Sequence, residues 1–203
     1  MNKRGHLQIT GQLFIDAIEP YRFWLLLGSI LPDLLFYTYL TGHTWKTSFI
    51  KLQQKMTYLA QHGRNNRRSC LCLGYMLHYI EDYFTYPHNQ TFHGTLREHC
   101  RYEEELSERI MHSNIASLIE GGTAPALSTE EIIQWLENTH NQYLERPQGY
   151  ENDLIYIPQA AEKVVGHFLT AFQQNEMLYA KKRFAQTGLH YGYFFFGRQR
   201  GKL

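Results

Sequence analysis

The chain has 203 residues, with 20 Lys and Arg against 19 Asp and Glu, so it carries a formal charge of +1. That balance excludes a partner chosen by bulk charge, and the length suffices for a proper core in one large domain. Three cysteines, Cys70, Cys72 and Cys100, form no zinc-knuckle or redox spacing, so free thiols in a reducing compartment are the simplest account.

Nearly every segment carries a helical period and none alternates in the manner of a strand. Met1-Asn-Lys-Arg is basic but lacks a following apolar run, so no secretory leader is read and a cytoplasmic protein is expected. Leu7, Ile9, Leu13, Phe14 and Ala17 predict a first helix ending near Glu19-Pro20, with His6 at its mouth. Tyr21 to Ser29 reads as a wholly buried turn or two leading into Leu31-Pro32-Asp33-Leu34. Pro32-Asp33 interrupts this apolar stretch too sharply for a membrane span.

Trp45 to Gln61 is amphipathic and stops at His62-Gly63. Arg64 to Arg68 reads as a solvated polar connection. A long helix is expected from Thr95 to about Glu120, closed by Gly121-Gly122. Ser128-Thr-Glu-Glu131 opens another, which runs to about Glu145. Tyr150 to Pro158 reads as irregular, and Ala160 to Ala185 as the last long helix. The tail from Tyr191 to Lys202 mixes aromatics and cations, which suits peripheral contact with lipid or nucleic acid. Packing of its aromatics with a solvated basic end is the simpler reading. The whole is expected to be a single all-α domain over 1–203.

The stretch from Gly74 to Asn89 organises the rest. Leu77, Ile80 and Phe84 mark a buried helix, and His78 and Asp82, four apart, share a face with roughly 5–6 Å between Cβ atoms. Pro87 ends the helix and swings His88 back towards its end. Imidazoles and a carboxylate converging in this way suit zinc, against the plainer reading of a core histidine bonded to Asp82. His99 and Glu103 repeat the four-residue spacing on the next helix. Asp33 sits in apolar surroundings, where a carboxylate needs a partner or a metal. His43 and His6 complete the set. Cys100 reads as a small core residue. His93, in the loop between His88 and His99, is a weaker candidate able to stand in for either.

His78-x3-Asp82-x5-His88 followed by His99-x3-Glu103, with Gly-Ser-Ile-Leu-Pro-Asp33, His43 and His6 ahead in order, resembles the zinc-dependent phospholipase C family. Fungal zinc nucleases that cleave single-stranded nucleic acid share that fold. The resemblance covers His6 to about Glu103 and implies an all-helical bundle around a metal cluster. It implies one zinc on Asp33, His43, His78 and Asp82, and a second on His88, His99 and Glu103. A third would share Asp82 and use His6. In the family the third metal also takes the α-amino group and carbonyl of the first residue. Here five residues precede His6, so two or three ions are expected.

The implied activity is zinc-dependent hydrolysis of phosphate esters, phospholipase C-like, by a metal-bound hydroxide. Zinc ions about 3.5–4 Å apart clamp a phosphate and supply the nucleophile. Asp82 would bridge two metals, and Asp33 would bind one and accept the proton. A phospholipid or small-molecule phosphate ester is the expected substrate, ahead of nucleic acid. The alternative is a non-catalytic helical protein with structural zinc.

Overall fold

The computed structural model describes residues 1–13, 19, 21–35, 44–115 and 127–196, with side chains described as far as 184. Among these residues there are seven α-helices and no strand. They are α1 (Lys3–Leu13), α2 (Arg22–Leu34), α3 (Trp45–His62), α4 (Arg67–Tyr83), α5 (Leu96–His112), α6 (Thr129–Glu145) and α7 (Tyr150–Phe196). A 3-10 turn, Tyr86–His88, follows α4.

Helix α4 is the hub, packed against α1, α2, α3 and α7. A helix covered on several sides has no solvated stripe. From Leu73 to Tyr83 only Tyr75 is not fully buried. Its start is fixed by Asn66, whose side chain accepts from the backbone N–H groups of Arg68 and Ser69. Helices α5 and α6 open with capping boxes, Thr95 with Glu98 and Ser128 with Glu131. The closest helix approach is that of α2 and α4. A Cβ on Gly28 would lie 2.2 Å from the Leu71 carbonyl oxygen, and one on Gly74 would lie 2.1 Å from that of Leu25.

The structure departs from the sequence reading at several places. Helix α2 runs through Pro32 to Leu34 as one element, with Pro32 buried inside it. It is not wholly buried, since Phe23 and Leu34 are 63% and 53% exposed. Helix α4 begins at Arg67, inside the stretch read as a loop. Two arginines of that stretch lie over rings, Arg64 over Tyr179 and Arg67 over Trp24.

Helix α5 stops at His112, not near Glu120. Ser113 is extended, and its hydroxyl donates to the Arg109 carbonyl. Phe14, Ala17 and the expected Gly121-Gly122 stop lie outside the described residues. Tyr150 to Pro158 is helical and continuous with α7. Gly149, at φ 151°, turns the chain in a way open to glycine, and the Asp153 N–H bonds its carbonyl. Pro158 is carried inside the helix because Ile157, Ala160, Ala161, Val164 and Val165 are buried around it. That burial offsets a proline penalty of about 3 kcal/mol. Of the tail, 197–203 lies outside the described residues. Among the described residues no helix is long and apolar enough to cross a membrane.

Candidate metal centre

Three helices converge on Asp82. Helix α4 supplies His78 and Asp82, α2 supplies Asp33 and α1 supplies His6. The α2–α4 approach lets the Ser29 carbonyl accept from His78 Nδ1 at 2.9 Å. A carbonyl only accepts, so Nδ1 carries a proton and Nε2 turns elsewhere. It faces Asp82 Oδ2 at 3.3 Å and Asp33 Oδ1 at 3.7 Å. His6 is arranged alike, with Nδ1 bonded to buried Glu81 and Nε2 3.4 Å from Asp82 Oδ1. The rings of His6 and His78 stack with centroids 4.1 Å apart.

The second set lies where the 3-10 turn meets α5. His88 Nε2 and His99 Nε2 are each 2.9 Å from Glu103 Oε1. His88 Nε2 is 3.6 Å from Asp82 Oδ1, so the break at Pro87 does return this ring to the end of α4. The α-ammonium of Met1 joins the two sets. It donates to Asp82 Oδ1 at 2.6 Å and Glu103 Oε1 at 3.0 Å, and lies 3.2 Å from His88 Nε2. The residues ahead of His6, the point of departure from the family pattern, thus fold back onto the cluster.

The electrostatics follow from packing carboxylates and imidazoles together out of water. Burial opposes the His6 charge, but Asp82 and Glu81 overcome it and raise the ring to about 9. Burial likewise opposes the Met1 ammonium, which Asp82 and Glu103 raise to about 11. Burial pushes Glu103 upward, yet the Met1 ammonium and the bonds from His88 and His99 hold it well below the carboxylate range. Burial raises Asp33 and Glu81 and lowers His88.

This donor set fits zinc. His6 Nε2 is buried and makes no hydrogen bond. Imidazole lone pairs facing carboxylate oxygens repel unless a proton or cation lies between them. Ligand atoms from His6, Asp33 and His78, and from His88, His99 and Glu103, lie within 4.8 Å of one another in each group. Imidazole nitrogen and carboxylate oxygen are zinc donors. Glu81 on His6 and the Ser29 carbonyl on His78 are outer partners of the kind that orient metal-binding histidines.

His43 lies outside the described residues. His93 is exposed and belongs to neither group. Cys100 is exposed, not a core residue, because α5 turns the His99/Glu103 face inward and leaves its neighbour to solvent. His62, His112 and His167 bond backbone carbonyls, and His140 bonds Asn89. Glu81, Ser29 and Met1 escaped the sequence reading. The one signal available was a second carboxylate beside Asp82 in an apolar helix.

Fold and site together define an all-helical protein that gathers histidines and carboxylates from five elements in an arrangement able to hold metal. The family model for zinc dependent phospholipase C matches residues 5–150, well beyond the stretch that carries the motif. The chain belongs to that family, and with it to the zinc-dependent, phospholipase-like hydrolases. Searches of curated proteins and of solved structures returned no match.

Proposed function

We propose that this chain is a single-domain phosphodiesterase of the phospholipase C type, cleaving phosphate esters of phospholipid or small-molecule kind with two or three zinc ions. The observation that carries the reading is the position of Asp82. Its two oxygens face His6, His78, His88 and the Met1 α-amino group from four directions. A carboxylate shared in that way is what a bridge between metals requires.

Asp33, His78 and Asp82, with His43, would hold one ion, and His88, His99 and Glu103 a second. His6 with Asp82 and the Met1 α-amino group would hold a third. When bound, zinc brings the acidity of a coordinated water close to neutral and offsets charge on a phosphate. The chain's own part is to fix the donors. Ser29 and Glu81 set the rings of His78 and His6, and apolar packing under α4 excludes bulk water. Asp33, partly exposed and raised by burial, would take up a proton from the attacking water.

The test is hydrolysis of bis-p-nitrophenyl phosphate and p-nitrophenyl phosphorylcholine by zinc-loaded protein. Asp82→Asn is expected to lower both rates by at least about a hundredfold, the lower end for loss of a positioned catalytic group. Equal rates for the two proteins on both substrates would replace the hydrolase reading with structural zinc.

A further inference from the structure

We propose that Asp153 is a positioning residue for the His88/His99/Glu103 set, its carboxylate fixing the turn that carries His88 against the helix that carries Glu103. The inference rests on the metal reading above and adds a residue that lies past the family match, which ends at residue 150.

Asp153 stands in the first turn of α7 and is 0% exposed. Its Oδ2 accepts two bonds, from the backbone N–H of Tyr86 at 3.1 Å and the Tyr102 hydroxyl at 2.8 Å. Its Oδ1 accepts from the Tyr143 hydroxyl at 2.8 Å. All three donors are neutral, so no ion pair among the described residues explains a carboxylate kept out of water, where an isolated charge is costly.

Where the donors sit is informative. Tyr86 opens the 3-10 turn that ends at His88, and Tyr102 directly precedes Glu103. One oxygen atom therefore sets the spacing between two ligand-bearing elements, and their rings meet edge to face at 5.8 Å. The helix N-terminus beneath Asp153 favours its negative charge. Tyr143, by contrast, lies on α6, which carries no member of the ligand set. Groups bonded to metal ligands commonly matter by ten- to a hundredfold in metal affinity, and Asp153, one step further out, belongs at the low end of that range.

That asymmetry supplies the experiment. Zinc affinity of each class of site is measured on the full chain by competition with a chromophoric chelator, for wild type, Tyr102→Phe, Tyr143→Phe and Asp153→Asn. Visible spectra of the cobalt-substituted proteins are recorded in parallel. Tyr102→Phe and Asp153→Asn are expected to weaken one class of site about tenfold and alter its cobalt bands, leaving the other class unchanged. Tyr143→Phe, which removes an equal hydroxyl bond, should leave both classes as they are.

Should Asp153→Asn fail to fold, the two tyrosine variants decide alone. Tyr102→Phe and Tyr143→Phe behaving alike, or Asp153→Asn keeping wild-type affinity at both classes, overturns the positioning role while the metal reading stands. Wild-type protein that takes up no zinc overturns the metal reading itself, and this inference with it.

Discussion

Gly28 and Gly74 face each other at the crossing of α2 and α4, each with its Cα 3.0 Å from where the other's Cβ would stand. The contact is backbone on backbone, so no side chain can move aside to make room. It also seats the Ser29 carbonyl on His78 and brings Asp33 to the cluster. Gly74→Ala should part the helices and cost about 1–3 kcal/mol, the range for overpacking a tight core. Because the same crossing aims Asp33, zinc affinity should fall as well. Urea unfolding and metal titration check the two effects. An alanine variant with wild-type stability would mean the helices are freer to part than the contact implies.

Metal removal gives a second test. If zinc binds the folded chain and not the unfolded one, a hundredfold excess over its dissociation constant adds about 2.7 kcal/mol. Chelator should lower the melting temperature of wild type. It should lower that of His78→Ala much less, because that variant loses the imidazole nitrogen that faces Asp82 and Asp33. The check is thermal unfolding with and without chelator. An equal response in the two proteins would break the link between this histidine and the metal.

His6 makes the metal-free protein sensitive to alkali. Its folded pKa is raised from 6.5 to about 9, so the stability from its charge is fully present below 6.5. That stability is lost as pH rises through about 9, an effect of up to about 3 kcal/mol at 1.36 kcal/mol per unit. Chelated wild type should lose stability over that window, and chelated His6→Gln should lose clearly less. Zinc binding must displace the same proton, so zinc affinity should rise with pH across the window. Calorimetry in two buffers of different ionisation enthalpy counts the protons released.

The part of this site legible in the sequence is the part written at fixed spacing on one element. His78 with Asp82, His99 with Glu103 and the return of His88 after Pro87 are set by neighbours along the chain, through helical spacing for the two pairs and the break at Pro87 for His88. The family match carries the all-helical fold with them. What stayed hidden depends on contacts between elements. Glu81 beside His6, Ser29 on His78 and the Met1 ammonium between Asp82 and Glu103 join residues 75, 49, 81 and 102 positions apart. No local period encodes such contacts. Pro158 shows the opposite failure, a strong local breaker overruled by burial on the surrounding helix.

Asp153 should cost the fold stability at neutral pH. Burial raises its carboxyl from 3.8 to about 6, against the three hydrogen bonds that favour the charge. For an acid with a raised folded pKa, the unfolded chain gives up its proton first. Stability is therefore highest below 3.8 and declines as pH rises through about 6. About two units correspond to roughly 3 kcal/mol. Asp153→Asn has no proton to lose, so its stability relative to wild type should climb by up to about that amount from pH 4 to pH 7. Urea titrations of both proteins in chelator at pH 4, 5, 6 and 7 measure the difference directly. A relative stability that falls over this range would show that the hydroxyls of Tyr102 and Tyr143 more than offset the burial. The rising curve is the one that agrees with a positioning role, since a carboxylate that weakens the fold at neutral pH is kept for the geometry it imposes.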